Sequence, residues 1–259
     1  GCLYMELIDS HAHIYLEEFD NDRPQVVENA QNAGIQRIYL PNIDSGSIDS
    51  MLNMCEDYPD FFRPMMGLHP TSVKADFYQE LEKVGNWLDQ RKFAAIGEIG
   101  IDLYWDKTWY QQQKEAFQIQ LKWAMEKDMP IVIHSRDSFQ EIFQAIDEVN
   151  DGSLHGIFHS FSGSLEEARH ILDLGFYIGI NGIVTFKNSS LDEVVRHIDM
   201  ERLVLETDSP FLAPVPRRGK RNESSYVRYV ADKIAEVKQL PVEEVADVTT
   251  RNANRIFLQ

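Results

Sequence analysis

Two histidines, His11 and His13, flank Ala12 at the point where an apolar segment of the chain turns polar. In a β-strand, side chains at positions i and i+2 point to the same face, so both imidazoles would aim at one point. Two imidazoles beside carboxylates suit a divalent metal ion. Paired histidines also occur by chance on solvent-facing strands, so a metal site here requires further ligands from distant parts of the chain.

Segments rich in β-forming residues alternate with amphipathic, helix-like segments from one end of the chain to the other. The predicted strands are residues 5–10, 37–42, 62–68, 93–100, 130–135, 156–161, 176–182 and 202–208. Several are apolar on both faces, as expected where helices cover a sheet. Eight strand–helix units in 259 residues predict a closed (β/α)8 barrel, with an open, doubly wound sheet as the alternative.

The helical segments mark out the same architecture. They include residues 76–90, 110–127, 164–174, 223–238 and 242–254. Ser164 and Glu167 have capping-box spacing, which indicates a helix start. No internal repeat, low-complexity tract or Pro/Gly-rich linker divides the chain, so we expect one α/β domain over residues 1–259.

In a barrel of this kind, catalytic groups lie at the carboxyl ends of the strands, whereas polar residues elsewhere are usually structural. Six metal-competent side chains meet this condition: His11, His13, Glu98, His134, His159 and Asp208. Four histidines and two carboxylates at one mouth would be hard to satisfy without cations. Position argues against a catalytic role for His155, His170 and His197. His69 lies at the correct mouth and is expected to contact substrate.

Six ligands exceed what one tetrahedral ion takes, and one carboxylate can bridge two ions. Two ions about 3.5–4 Å apart are the arrangement that phosphoester hydrolysis uses. The expected division places one ion on His11, His13 and Asp208, the other on His134 and His159, and Glu98 between them as the bridge. Gly97 and Gly100 flank this bridge, and their missing Cβ atoms would let backbone or substrate approach closely.

The net charge of −17 argues against a protein that coats long nucleic acid, because such proteins are usually basic overall. Any nucleic-acid contact must therefore be local. The densest basic cluster, hereafter the basic loop, consists of Arg217, Arg218, Lys220 and Arg221. The chain has only two cysteines, no apolar run near the roughly 18 residues that span a bilayer, and no opening secretory signal pattern. These features predict a cytoplasmic protein that does not bind membranes.

Seven short segments resemble a known family in their order and spacing. They are DSHAH (9–13), GLHP (67–70), GEIGID (97–102), IHSRD (133–137), HSFSG (159–163), ETDSPFLAP (206–214) and RGKRNE (218–223). Together they resemble the TatD-like family of metal-dependent deoxyribonucleases, one of the amidohydrolase-type barrels. The resemblance implies a dinuclear site and hydrolysis of DNA, commonly as a 3′–5′ exonuclease aided by a divalent cation.

Residue by residue, the family's ligand positions fall on the six side chains named above, and the resemblance gives Asp208 the further role of general base. Two positions depart from the family's pattern: Ser160 stands where cysteine is common, and Ser224 where proline is common. Many other barrels of this type bridge their metals with a carbamylated lysine. By family association, Glu98 at that position favours phosphodiester cleavage over amide hydrolysis.

In the predicted reaction, two divalent ions polarise the scissile phosphate and activate a water, whose proton passes to Asp208. Magnesium or manganese is expected for activity, with zinc or another transition ion as the alternative. The residues expected to bind substrate are His69, Arg136, Ser162, Arg218, Lys220 and Arg221. The guanidinium group of arginine is suited to binding phosphate. Ser162 and Gly163 precede a helix amino terminus, whose free N–H groups would accept a phosphate. Tyr104 and Trp105 could stack a terminal base.

The predicted substrates are DNA ends or oligonucleotides, and no obligate protein partner is predicted. Two alternatives remain open. The same dinuclear site could hydrolyse another bond, either a cyclic amide or the ester of a D-aminoacyl-tRNA. Outside enzymology, the residues could form a metal-stabilised binding module, which would need neither an open coordination position nor a general base.

Overall fold

The structure is a computed structural model that describes residues 5–258. Its strands are β1 (Leu7–Asp9), β2 (Ile35–Leu40), β3 (Phe62–Pro64), β4 (Ile96–Asp102), β5 (Ile131–Arg136), β6 (Gly156–Phe158), β7 (Tyr177–Ile180) and β8 (Leu203–Leu205). Its helices are α1 (Arg23–Asn32), α2 (Ile48–Asp57), α3 (Phe77–Gln90), α4 (Tyr110–Lys127), α5 (Phe139–Val149), α6 (Leu165–Asp173), α7 (Leu191–Arg196), α8 (Val227–Lys238) and α9 (Val242–Phe257). All the predicted strands are confirmed, and the predicted helices agree with α3, α4, α6, α8 and α9 to within four residues.

The strands pair in chain order, and every pairing is parallel. Ladders join β1 to β3 and β4 to β8. The N–H of Met66 donates to Ala95 O (3.1 Å) between β3 and β4, and the N–H of Ser10 donates to Leu205 O (3.0 Å) between β1 and β8. These bonds close the ring, so the (β/α)8 barrel is confirmed. The ring places β4 diametrically opposite β8.

Alternate strand residues face the inside of the barrel. There they form a small apolar cluster that includes Ile8, Tyr39, Val132, Ile157 and Val204. Helix α9 closes the bottom of the barrel, where the ring of Phe257 stacks 3.8 Å from the ring of Tyr39. The other strand residues pack outward against the helices in a larger cluster. The lower half of the barrel is therefore a filled apolar core.

Helix α6 begins with the predicted capping box. The hydroxyl of Ser164 accepts the N–H of Glu167 (3.1 Å), and the Glu167 carboxylate accepts the N–H of Ser164 (2.8 Å). These two N–H groups are thus engaged within the protein, and a phosphate at this helix end would have to use the groups beside them.

Three predictions concern the chain as a whole: the absence of membrane binding, the organisation as one domain and the cytoplasmic location. Between residues 5 and 258, no helix combines the length and the apolarity needed to cross a lipid bilayer. The organisation as one domain and the cytoplasmic location stay predictions.

Candidate metal and active site

The barrel strands bring polar side chains together above the apolar core. Side chains two positions apart on a strand share a face, so the residues two beyond Val132 and Ile157 also point inward. These residues are His134, in β5, and His159, directly after β6. Glu98 reaches the same space from β4, where the pairing with β5 shifts register around it. Such a bulge re-aims a side chain, and here the carboxylate turns to the centre of the mouth.

His11 and His13 lie beyond the end of β1, but Ala12 between them forms a parallel β-bridge with Ser209, so the strand-like spacing that gives them a common direction is retained. Hydrogen bonds join their segment to the end of β8. The N–H of Asp208 donates to His11 O, and the N–H of His13 donates to the carbonyl that follows Asp208, both at 2.8 Å. Below them, the Asp9 carboxylate accepts the backbone N–H (2.9 Å) and the hydroxyl (2.6 Å) of Thr207. Hydrogen bonds therefore join the two segments on both sides of the histidines.

The carboxylate of Glu98 lies at the centre of the site and is only 2% exposed. Histidine nitrogens surround its two oxygens at distances of 3.1–3.7 Å. Oε2 faces Nε2 of His11 and Nε2 of His13. Oε1 faces Nδ1 of His134, Nε2 of His69 and Nε2 of His159. Oδ1 of Asp208 lies 3.5 Å from His11 Nε2 and 3.4 Å from His13 Nε2. All six predicted ligands thus meet at one mouth.

The outer nitrogen of an imidazole shows which nitrogen carries the proton. Three of the histidines have an acceptor there: Asp102 Oδ2 is 2.8 Å from His134 Nε2, Glu206 Oε1 is 2.9 Å from His159 Nδ1, and the Tyr15 hydroxyl is 2.9 Å from His13 Nδ1. The hydroxyl of Tyr15 itself donates to Pro41 O (2.5 Å), so it accepts from His13. When such an imidazole is neutral with its proton on the outer nitrogen, the inner nitrogen presents a lone pair toward the central carboxylates.

This arrangement fits divalent cations. A lone pair of nitrogen and a carboxylate oxygen are both acceptors, so placing them 3–4 Å apart out of water is unfavourable unless a proton or a cation lies between them. Three groups have all their donor atoms within 4.8 Å of one another: His11, His13 and Asp208; His11, Glu98 and His159; and His69, Glu98 and His134. Imidazole donors suit zinc and similar transition ions, and the carboxylates also suit manganese and magnesium.

His69 differs from the other four histidines. It lies close enough to Glu98 and His134 to share an ion with them. However, its Nδ1 accepts the backbone N–H of Thr71 (3.1 Å), which places the proton on Nε2. That N–H faces Oε1 of Glu98 at 3.3 Å. His69 is therefore poised to donate a hydrogen bond rather than to ligate a cation.

Both carboxylates stay ionised in this environment. Burial alone would raise the pKa of Glu98, but electrostatic interactions with the imidazoles of His69 and His11 outweigh it and hold that pKa well below its usual value. Burial alone would also raise the pKa of Asp208. The electrostatic interaction with His159 leads the effects that outweigh burial, so the pKa of Asp208 is lowered. Ionised carboxylates are the form that binds cations.

The sequence pattern did not predict Tyr15, Asp102 and Glu206, which contact the outer nitrogens of the histidines. The fourth strand was predicted to stop at residue 100, but β4 continues to Asp102, which places this acid at the strand end where functional groups are expected. Glu206 comes two residues before Asp208 at the end of β8. The strand-end criterion applied to every acid would have found both.

The glycines beside Glu98 serve the packing of the barrel. A Cβ at Gly100 would lie 1.9 Å from the carbonyl oxygen of His134, and a Cβ at Gly97 would lie 2.9 Å from the Cβ of Val132. The predicted close approach is therefore made by strand β5.

A cavity of about 520 Å³ opens above the carboxylates. The predicted substrate residues that line it are His69, Arg136 and Ser162. Trp105 lines it from the segment after β4, and Phe211 from the segment after β8. The guanidinium of Arg136 lies 3.8 Å from the centre of the Tyr104 ring, which supports the arginine at the rim.

The basic loop is not among the residues of the 5–258 range that line this cavity. Arg221 makes two hydrogen bonds with the carboxylate of Asp22, at 2.8 and 2.7 Å. The guanidinium of Arg218 lies 3.9 Å from the centre of the Phe186 ring. Contact of this loop with substrate stays a prediction, and for Arg221 it would require the ion pair with Asp22 to open.

A family model described as TatD related DNase matches residues 8–258. The chain belongs to the TatD family. YabD of Bacillus subtilis, named as an uncharacterized metal-dependent hydrolase, is 41% identical over 97% of this chain and 98% of its own length. YcfH of Escherichia coli carries the same description and is 32% identical over 98% of this chain and 96% of its own length.

Solved structures agree with the TatD assignment. The TatD homologue YjjV of Escherichia coli superposes with a TM-score of 0.92 at 27% identity, covering 99% of this chain and all of YjjV. With the convergent histidines and carboxylates, these likenesses identify this TatD-family protein as a metal-dependent hydrolase.

Proposed function

We propose that this TatD-family hydrolase cleaves phosphodiester bonds at DNA ends, as a 3′–5′ exonuclease on single strands, with two divalent cations. The supporting observation is the arrangement at Glu98. His11 and His13 approach one carboxylate oxygen, and His134 and His159 approach the other. A carboxylate approached in this way can bridge two cations, and such pairs serve in-line displacement at phosphorus.

In the proposed centre, the ligands of one cation are His11, His13 and Asp208, those of the other are His134 and His159, and Glu98 is shared. Magnesium or manganese is proposed for activity, with zinc or another transition ion as the alternative. When bound, the cations would supply positive charge to the scissile phosphate and lower the pKa of an attacking water.

Asp208 is proposed as the general base. Its side chain is 14% exposed, whereas Glu98 is buried, so Asp208 is the central carboxylate that a water in the cavity can reach. Its lowered pKa keeps it ionised and able to accept a proton. The backbone of Asp208 lies in the left-handed region at φ +57°, a conformation that aspartate tolerates better than most residues.

Two exposed aromatic side chains support a substrate with unpaired bases. Trp105 is 74% exposed and Phe211 is 48% exposed. They follow β4 and β8, which face each other across the ring, and both line the cavity. Aromatic rings stack any unpaired base. A single-stranded end could therefore place a base against each ring, with the phosphate between them at the carboxylates.

Polar groups at the rim would hold the phosphates. The N–H of His69 and the guanidinium of Arg136 are donors on the cavity wall, and the hydroxyl of Ser162 adds a third. Arg218, Lys220 and Arg221 are proposed to contact phosphates farther along the strand. The acidic surface elsewhere, with a net charge of −17, disfavours contact with a long duplex.

The test is digestion of single-stranded DNA oligonucleotides labelled at either the 3′ or the 5′ end. Metal-stripped protein would be supplied separately with magnesium, manganese or zinc, and Asp208→Asn would be the control. We expect cation-dependent shortening from the 3′ end by the wild type and none by the variant. An intact oligonucleotide under every cation would overturn the nuclease proposal and move the search to cyclic amides and D-aminoacyl-tRNA esters.

A further inference from the structure

The outer nitrogens of the proposed histidine ligands meet two different environments. Carboxyl groups stand behind one pair, with Asp102 at His134 and Glu206 at His159. The other pair has no such carboxyl group, because His13 contacts the hydroxyl of Tyr15 and the buried Nδ1 of His11 has no hydrogen-bond partner among the described residues. Each pair belongs to a different cation position in the proposed centre.

We propose that Asp102 and Glu206 are positioning residues for the cation position beside His134 and His159, and that they act on this position alone. The inference rests on the two-cation part of the proposed function. A carboxylate behind an imidazole fixes the ring orientation and makes the opposite nitrogen a stronger ligand. The two positions are therefore supported independently of each other.

The two carboxylates account for the different nitrogens that the histidines present. His134 turns Nδ1 toward Glu98 (3.1 Å) because Asp102 holds its Nε2. His159 turns Nε2 toward Glu98 (3.2 Å) because Glu206 lies at its Nδ1. The contact of Asp102 is an aligned hydrogen bond, whereas that of Glu206 is a close ionic contact without such alignment. Asp102 is therefore expected to have the larger effect.

Both carboxylates are themselves held in place. Oδ1 of Asp102 accepts the backbone N–H of Tyr104 (3.0 Å), and the side chain of Gln113 holds the backbone of Asp102 through two hydrogen bonds, at 2.8 and 3.1 Å. Oε1 of Glu206 accepts the N–H of Ser160 (2.7 Å) and the amide of Asn181 (3.2 Å). Neither acid is more than 4% exposed. Their geometry is thus set before any cation binds.

The test is titration of metal-stripped protein with manganese, followed by calorimetry. The wild type should bind two ions. Asp102→Asn and Glu206→Gln should each weaken one binding step by about 10–100-fold and leave the other unchanged. Tyr15→Phe, which removes the neutral acceptor from His13, should affect only the other step. Asp106→Asn is the matched control, because Asp106 lies on the same segment but is exposed and bonded to Thr108.

A second readout separates positioning from general loss of structure. Nitrogen NMR of labelled histidine in the metal-free protein should show His134 protonated at Nε2 in the wild type and as a mixture of tautomers in Asp102→Ala, with unchanged urea unfolding cooperativity. If the wild type binds manganese in two steps, and Asp102→Asn and Glu206→Gln change the affinity of both steps or of neither, this inference alone is overturned. A single wild-type step would overturn the two-cation proposal together with it.

Discussion

Replacing Gly179 by alanine perturbs His159 from outside the ligand set. Gly179 lies in β7, and a Cβ there would lie 2.5 Å from Oε2 and 3.1 Å from Cδ of Glu206. Carbon–oxygen contacts of ordinary length need about 3.5 Å. The carboxylate must therefore retreat by about 1 Å, and Oε1, which accepts from Ser160 and Asn181 and contacts His159, must move with it.

A retreat of this size lengthens the 2.9 Å contact between Glu206 and His159 to about 4 Å, which breaks it. The buried carboxylate loses part of its hydrogen bonding, so the free energy of unfolding of the metal-free protein should fall by about 1–3 kcal/mol. The support of one imidazole is lost as well, and one manganese-binding step should weaken by about tenfold.

Urea unfolding and manganese calorimetry on Gly179→Ala measure these two effects. Gly85→Ala is the control, because Gly85 lies in α3, where a Cβ would meet only the ring of Trp123 at 3.3 Å. We expect wild-type cation binding in the control. Wild-type affinity for both ions in Gly179→Ala would refute the link from Glu206 to the cation position.

Three further perturbations address the core, the mouth and the pH dependence. Phe257→Ala removes the ring stacked on Tyr39, so it should lower the free energy of unfolding by about 3–5 kcal/mol in urea titrations while manganese stoichiometry stays unchanged. Trp105→Ala should raise KM for single-stranded ends by roughly 5–150-fold, the equivalent of about 1–3 kcal/mol of base stacking, and Trp105→Phe should restore most of it. Burial raises the pKa of Asp9 to about 7 against hydrogen bonds from Thr207, so the folded protein keeps a proton that the unfolded chain loses near pH 4. Stability of the metal-free protein should therefore fall as pH rises from about 4 to 7, and Asp9→Asn should remove this decline in unfolding measured across that range.

Much of the barrel could be predicted from local sequence. Period-two and period-3.6 patterns predicted all the strands, and the bounds of α4 agree with the predicted 110–127. The six proposed ligands were predicted because barrel topology gathers strand ends, so position along each strand carried the information. The capping box of Ser164 and Glu167 was predicted from spacing alone.

What the pattern missed depends on contacts between distant segments. Asp9 and Thr207 are 198 residues apart in the chain, and their hydrogen bonds hold the segment of His11 and His13 against the end of β8. The pairing of Arg221 with Asp22 joins segments separated by 199 residues. Local periodicity contains no information on such pairs, because each partner alone has the pattern of an ordinary surface or loop residue.

The central claim is that two cations bridged by Glu98 hydrolyse DNA ends. Its most direct test is the rate of oligonucleotide hydrolysis as a function of manganese ions bound per chain, for the wild type and for Glu98→Gln. We expect hydrolysis to rise with the second ion bound, and to fall by at least about 100-fold in the variant, because a neutral amide bridges two cations poorly. Full activity with one ion bound, or a wild-type rate in Glu98→Gln, would contradict the claim.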